Sequence, residues 1–229
     1  MKNNLLYDVL NNHLPNYEPR SEQEQMSAAI AGALATGQHL IVEAGTGVGK
    51  SLAYLIPLIE HVQSKTGTRA VVSTYTKALQ RQLVEKELPF LKDTAFRDLR
   101  FALCIGSENY LCLRRMEQTT THGLFDADET EPIGRLKRWA RKTSSGMKSE
   151  IEISPRLWQK VCRESDLCFG KECKRFPVCF YQKAKEIERR AHILVTNHHL
   201  FFANAASGGN VIPSFDWVVF DEAHELEDV

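Results

Sequence analysis

Eight residues constrain this chain more than any others: Ala44-Gly45-Thr46-Gly47-Val48-Gly49-Lys50-Ser51. They follow the apolar run His39-Leu40-Ile41-Val42-Glu43 and precede Leu52-Ala53-Tyr54-Leu55-Ile56. Strand, glycine-rich turn and helix, in that order, is the context a phosphate-binding P-loop requires. Glycines let the backbone wrap around phosphate oxygens with successive N–H groups pointing inward, and the positive end of the next helix adds to the attraction. Lys50 is placed to reach the β- and γ-phosphates, and the Ser51 hydroxyl to ligate magnesium. The usual pattern opens with glycine where this chain has Ala44. The alternative, a chance glycine turn, does not account for Gly-Lys-Ser standing where the mechanism needs it. A nucleoside triphosphate site with Mg²⁺ is therefore expected.

The second landmark lies far downstream. The apolar run Trp217-Val218-Val219-Phe220 leads straight into Asp221-Glu222-Ala223-His224. An aspartate at the tip of such a strand can hold the magnesium shell. Glu222 can orient and deprotonate an attacking water. His224 is expected to sense the γ-phosphate. An acidic helix start with ordinary capping charges is the plain alternative. Paired with the P-loop, the four residues predict a triphosphatase site.

Between these landmarks the apolar runs mark further strands of a mainly parallel α/β sheet, near 39–43, 69–73, 100–105, 193–196 and 217–221. Residues 1–16 read as a short amphipathic helix. Ser21 and Glu24 form a capping-box pattern at the start of the next helix, which Gly37 ends. Arg20 and Gln23 are candidates to sit beside the nucleotide base, against the alternative of ordinary surface residues. Pro57 is expected to bend or shorten the helix after the P-loop. Ser73, Thr74, Lys77 and Gln80 cluster at a strand end, where they suit phosphate contacts or a plain helix cap.

From about Ser107 to Ile187 the α/β rhythm breaks. The stretch is polar and cysteine-bearing, with an acidic segment over 125–131 expected to be disordered and a basic helix over 135–142. Ser154 is expected to cap a helix that starts at Pro155. The division expected is 1–106 for the first part of a nucleotide-binding domain, 107–187 for an insertion and 188–229 for the return. Six cysteines in a chain without a secretory signal point to metal or redox chemistry rather than disulfides. Cys112, Cys168, Cys173 and Cys179 can hold a 4Fe–4S cluster or a structural zinc. Paired Cys-x₂-Cys knuckles are missing, so spacing leans to iron–sulfur. Cys104, within a predicted strand, reads as a small core hydrophobe. Cys162, on a predicted helix, ranks below Cys168 as a ligand.

With 229 residues, 43% of them hydrophobic, the chain can bury a real core. Its formal net charge is zero, so nucleic-acid binding has to come from a local groove rather than a global field. No apolar run approaches the ~18 residues of a membrane span, and a cytoplasmic location is the expectation.

The P-loop, the Asp221-Glu222-Ala223-His224 motif and the cysteine set between them resemble the XPD/DinG branch of superfamily 2 DNA helicases. Glu43 to Lys50 and the Tyr17, Arg20, Gln23 arrangement are most similar to its bacterial DinG-like members. The resemblance spans almost the whole chain. It implies a RecA-like P-loop domain with an inserted iron–sulfur domain, belonging to an ATP-dependent helicase of 5′-to-3′ polarity in DNA repair or replication. By that likeness Cys112, Cys168, Cys173 and Cys179 ligate the 4Fe–4S cluster. Ser73, Thr74, Lys77 and Gln80 match the motif that touches the DNA backbone, with Asn197 and His198 as further candidates for strand contact. Single-stranded DNA is the implied partner. The family's arch domain, second motor domain and arginine finger are not present in the sequence. The chain therefore reads as the N-terminal part of a helicase that is monomeric when complete, its sheet left incomplete and its own hydrolysis near background. Two competing readings are a P-loop kinase or metabolic ATPase with a metal-binding insertion, and a metal-stabilised nucleic-acid-binding module with a vestigial ATP site.

Overall fold

A computed structural model describes residues 5–229 except 46, 122 and 124–126. Thr46 of the P-loop and the start of the acidic segment, Phe125 and Asp126, therefore lie outside the described residues. The chain divides into two compact units, one of residues up to Cys104 together with Arg190–Val229, the other of Ile105–Arg189.

The first unit opens with helices α1 (Leu5–His13) and α2 (Ser21–Thr36). Gly37 closes α2 with φ 69°, a left-handed conformation that glycine adopts without steric cost. The capping box does not form. Arg20 occupies the N-cap without a side-chain capping bond, and Ser21 Oγ turns to Glu22 at 3.0 Å. Helix α3 (Lys50–Ser64) runs on through Pro57. Its flank of Leu55, Ile56, Leu58 and Ile59 is at most 1% exposed, and this burial offsets the one backbone bond that proline forfeits. Strand β1 (Ala70–Thr74) follows, then α4 (Lys77–Gln82), a π-helical turn (Leu83–Glu87), α5 (Leu88–Thr94) and strand β2 (Phe101–Leu103).

The second unit carries α6 (Leu113–Thr121), α7 (Thr130–Ala140), α8 (Pro155–Val161) and α9 (Phe180–Arg190). Ser154 caps α8, its hydroxyl accepting from the Leu157 amide at 3.2 Å. Its core gathers Tyr110, Leu111, Leu136, Trp158, Val161, Cys162 and Phe180. The Trp158 indole donates to the Glu108 carbonyl at 2.8 Å, which satisfies its one polar atom. The described part of the acidic segment is ordered rather than disordered. Glu129 is 5% exposed and pairs with Lys160 at 2.6 Å.

The chain then returns through β3 (Ile193–Asn197), α10 (His198–Ala206) and β4 (Trp217–Phe220). The four strands form one parallel sheet in the order β2-β3-β1-β4. Successive side chains on a strand face opposite ways. Ala70, Val72, Ile193 and Val195 enter the core formed with α1, α3 and α5. Val71, Leu194, Ala102 and Cys104 face the other side, under Phe201, Phe215 and Ile212. A sheet covered on both faces explains the unbroken apolar runs of β1 and β3.

The strand expected at 39–43 is not one. The segment before the P-loop has no regular secondary structure, and Ile41 is 98% exposed. A strand needs a neighbour to satisfy its N–H and C=O groups, and none pairs with this segment among the described residues. Cys104 is a core residue, 1% exposed, and its amide donates to Val195 O at 2.8 Å.

Candidate nucleotide site

Parallel strands bring their carboxyl ends to one edge, where open α/β sheets bind ligands. Here the register sets Ser73 opposite Phe220, and the Asp221 amide donates to Ser73 O at 2.9 Å. That bond fixes Asp221 and Glu222 just past the tip of β4. The P-loop leads into α3, which starts at Lys50. Gly47 and Gly49 both have φ 82°.

Gly49 is also a point of close approach. A Cβ there would collide with the Gln23 amide, whose Nε2 donates to Gly49 O at 3.0 Å. The Tyr17 hydroxyl donates to the other end of the same amide, Gln23 Oε1, at 3.3 Å. Arg20 donates to the Gly47 carbonyl. Gln23 is 3% exposed, and its amide is engaged at one end by the P-loop backbone and at the other by Tyr17. Arg20 braces the same loop. Sequence reasoning found both residues and missed this connection. The tight Gly-x-Gly turn twenty-odd residues later was the available signal.

The catalytic candidates converge. Lys50 Nζ lies 3.1 Å from Glu222 Oε1, each side chain 29% exposed. Glu222 sits at φ 58°, a left-handed conformation uncommon outside glycine and a form of strain that clusters at functional sites. Its other oxygen lies 3.6 Å from His224 Nδ1, and the His224 side chain is 69% exposed. The Tyr54 hydroxyl donates to Asp221 Oδ2 at 3.1 Å. Burial raises the Asp221 pKa, with Glu222 adding to the rise and Tyr54 and Lys50 opposing it. Tyr54 is held protonated, first by burial and then by the charges of Asp221 and Glu87. Ser51, in the first turn of α3, adjoins Tyr54 and Glu87. Ser51 and Asp221 thus offer a hydroxyl and a carboxylate to a hard cation, and Lys50 a charge to phosphate.

The DNA-contact candidates separate into two groups. Ser73 and Thr74 are 0% exposed, His198 0% and Gln80 4%. Ser73 Oγ is 2.7 Å from His198 Nδ1, a buried bond that ties β1 to the start of α10. Asn197 caps α10, accepting from Leu200 N at 2.8 Å. Ser73 and Thr74 are buried because β1 is a central strand, while His198 is buried at the start of α10 and Gln80 on α4. Lys77 alone of the group is exposed.

In the second unit, Cys112, Cys168, Cys173 and Cys179 line one cavity with Leu111, Phe169 and Phe176. None of the six cysteines is in a disulfide. The Cys179 thiol is raised by burial above all and by the neighbouring Cys112 and Cys168, while the amides of Gln182 and Tyr181 at the start of α9 oppose the rise. The Gly170 amide donates to Cys168 Sγ at 3.4 Å. Among the described residues no three His, Cys, Asp or Glu side chains converge on a single metal ion. Cys162 is 4% exposed and does not line the cavity. Its pKa is raised by burial first, and its thiol faces Gln159 O at 3.8 Å.

A parallel sheet with a P-loop helix, and an acidic pair at a strand tip meeting the P-loop lysine, define a RecA-like P-loop nucleotide-binding domain. Residues 21–123 match the DEAD/DEAH box helicase family. The chain is 36% identical over 224 residues to the ATP-dependent DNA helicase YoaA of Escherichia coli K12, an alignment covering 94% of this chain and 34% of that protein. To the ATP-dependent helicase DinG of Mycobacterium tuberculosis it is 39% identical over 230 residues, covering 91% of this chain and 34% of the relative. To the 3′-5′ exonuclease DinG of Bacillus subtilis it is 29% identical over 222 residues, 96% of this chain and 24% of that one. The chain spans about a third of the length of the first two relatives and a quarter of the third. No helix among the described residues is long and apolar enough to cross a membrane.

Proposed function

We propose that this chain supplies the ATP-binding part of an ATP-dependent DNA helicase motor. The observation that carries the reading is the meeting of Lys50 with Glu222, 172 positions apart in sequence and 3.1 Å apart in space. In this reading the P-loop amides and Lys50 bind the triphosphate, while Ser51 and Asp221 hold its magnesium ion. Magnesium supplies charge neutralisation at the phosphates. Glu222 accepts a proton from the attacking water, which requires Lys50 to exchange its carboxylate partner for phosphate. His224, adjacent to Glu222, responds to the γ-phosphate. The relatives named as ATP-dependent helicases support the assignment.

Single-stranded DNA is the proposed partner, bound through its backbone with a steep salt dependence. Lys77 and Arg81 on one unit, and Arg135, Lys137, Arg138, Arg141 and Lys142 on the other, are exposed cations suited to phosphates. The test is ATP turnover of the full-length protein with and without single-stranded DNA, together with strand separation from a 5′ overhang. Turnover indifferent to DNA would overturn the helicase reading. The Bacillus relative, named an exonuclease, gives one specific reason to keep a second reading, a nucleotide-dependent nucleic-acid-binding module without unwinding. Turnover stimulated by DNA without strand separation would favour it.

For the second unit, the proposed occupant of the four-cysteine cavity is a 4Fe–4S cluster held by Cys112, Cys168, Cys173 and Cys179. A tetrahedral zinc with Zn–S bonds of ~2.3 Å draws its sulfurs to within ~3.8 Å of each other. Four thiols line one cavity, the number of thiolate ligands a 4Fe–4S cluster takes. The cluster would supply four metal–thiolate bonds that tie α9 and the loops before it to Cys112.

A further inference from the structure

The π-helical turn Leu83–Glu87 interrupts what would otherwise be one continuous helix from Lys77 to Thr94. Such turns are uncommon and recur at functional sites, because the extra residue re-aims every side chain after it by about 100°. Here the side chain re-aimed is Glu87. Its Oε1 accepts from Gln82 Nε2 at 2.5 Å, while its Oε2 is buried and has no hydrogen-bond partner. Tyr54 feels the Glu87 charge, Glu87 in turn feels that of Asp221, and the Ser51 hydroxyl adjoins the Glu87 carboxyl. The cation whose charge reaches Asp221, Lys50, is paired at 3.1 Å with Glu222 instead.

A buried carboxylate oxygen without a donor is unfavourable, and one kept beside two candidate magnesium ligands calls for a donor at that place. Magnesium dehydrates reluctantly and keeps several waters when bound through one or two protein ligands and phosphates. Its hydration shell is a set of polarised O–H donors. Resting on the reading of Ser51 and Asp221 as the magnesium ligands, we propose that Glu87 is a positioning residue of the magnesium site, its free Oε2 accepting a hydrogen bond from the ion's hydration shell. Glu87 touches neither the nucleotide nor the ion. It acts through Ser51, Asp221 and that shell, and the π-turn is what presents it.

The experiment measures the affinity of a fluorescent, non-hydrolysable ATP analogue in magnesium and in EDTA, so that hydrolysis plays no part. Outer-shell partners of metal sites are worth about 10–100-fold in metal affinity. Glu87→Gln, which preserves shape and removes the charge, should lose about tenfold of the gain in affinity that magnesium confers on the wild type. Its affinity in EDTA should be unchanged. Glu87→Asp should recover part of the loss. Thermal unfolding of Glu87→Gln should equal or exceed the wild type, since a buried unpartnered carboxylate oxygen is replaced by a neutral amide. A full magnesium gain in Glu87→Gln, with the gain lost in Ser51→Ala and Asp221→Asn, would overturn the role of Glu87 alone. Equal losses in magnesium and EDTA would make Glu87 merely structural and overturn it too. A full gain in all three variants would overturn the assignment of the magnesium site itself, and the inference with it.

Discussion

Lys50 and Glu222 form an ion pair at 3.1 Å that joins the first residue of the P-loop helix to the acidic pair past β4. Both side chains are 29% exposed, and partly exposed pairs of this kind contribute only about 0–1 kcal/mol to stability. The pair is therefore a weak reason for the two residues to be there, and chemistry is the stronger one.

The first prediction separates those two roles. Lys50→Ala and Glu222→Gln should each shift the unfolding midpoint by no more than a few degrees. Glu222→Gln should cut the DNA-stimulated turnover of the full-length protein by about 10²–10⁴-fold, as loss of a general base does, with nucleotide affinity retained. Lys50→Ala should lose nucleotide affinity as well. A Glu222→Gln protein that turns over at the wild-type rate would remove Glu222 from the chemistry.

A second prediction follows from His198. Burial lowers its pKa below 6.5, against the opposing pull of the Asp221 and Glu222 backbone and the Asp221 charge. The folded state therefore holds His198 neutral where the unfolded chain would protonate it. The stability this contributes is fully present above pH 6.5 and is lost as pH falls from there toward the folded pKa. His61 and His192 are lowered in the same direction, burial again the main cause. His198→Gln loses the 2.7 Å bond to Ser73, a cost of about 1–2 kcal/mol at neutral pH. Denaturant unfolding from pH 7.5 to 5.5 should show a shallower loss of stability in the variant than in the wild type. Parallel curves would mean that His198 does not titrate in this range.

What the sequence showed and what it hid divide along a physical line. The P-loop and Asp221-Glu222-Ala223-His224 were legible because local residue order carries their chemistry. Strands β1 and β3 were legible because a strand buried on both faces has an unbroken apolar run, and β4, an edge strand, because its apolar run leads straight into the acidic motif. The run 39–43 looks the same and is not a strand, because strand formation depends on a neighbour that no local pattern encodes. Ser73, Thr74 and His198 looked like polar side chains at a strand end. Their burial depends on a pairing between positions 73 and 198 that only the register of β1 with β3 creates. Glu87 was invisible for a related reason, since nothing in Leu83-Val84-Glu85-Lys86-Glu87 announces a π-turn.

Gln23 supplies a third prediction, because two roles give opposite outcomes. Its amide holds Gly49 O at 3.0 Å and receives the Tyr17 hydroxyl at 3.3 Å. If bracing the loop is its contribution, Gln23→Ala should weaken ATP and GTP binding alike, each by about fivefold for the ~1 kcal/mol of one hydrogen bond. If it reads adenine, ATP alone should weaken and the preference over GTP should disappear. Competition binding with the two nucleotides, on wild type and variant, decides between them.

The last prediction tests the four-cysteine cavity. Cys112, Cys168, Cys173 and Cys179 line it, whereas Cys162 packs into the apolar core with Tyr110, Leu111 and Trp158. Burial raises the Cys179 thiol, and the neighbouring Cys112 and Cys168 raise it further, so thiolates crowded here need a compensating cation. Anaerobically purified protein should be brown and hold about four irons per chain, as a 4Fe–4S cluster requires. Serine in place of any of the four should bleach it and lower the unfolding midpoint, because the cluster stabilises only the folded unit. Cys162→Ser should keep the colour while losing about 1–2 kcal/mol of stability, since it buries a hydroxyl where a thiol had packed. Bleaching by Cys162→Ser with colour kept in Cys168→Ser would mean a different ligand set. Stoichiometric zinc without iron would require the four thiols to draw in around one ion, and would replace the cluster with a structural metal.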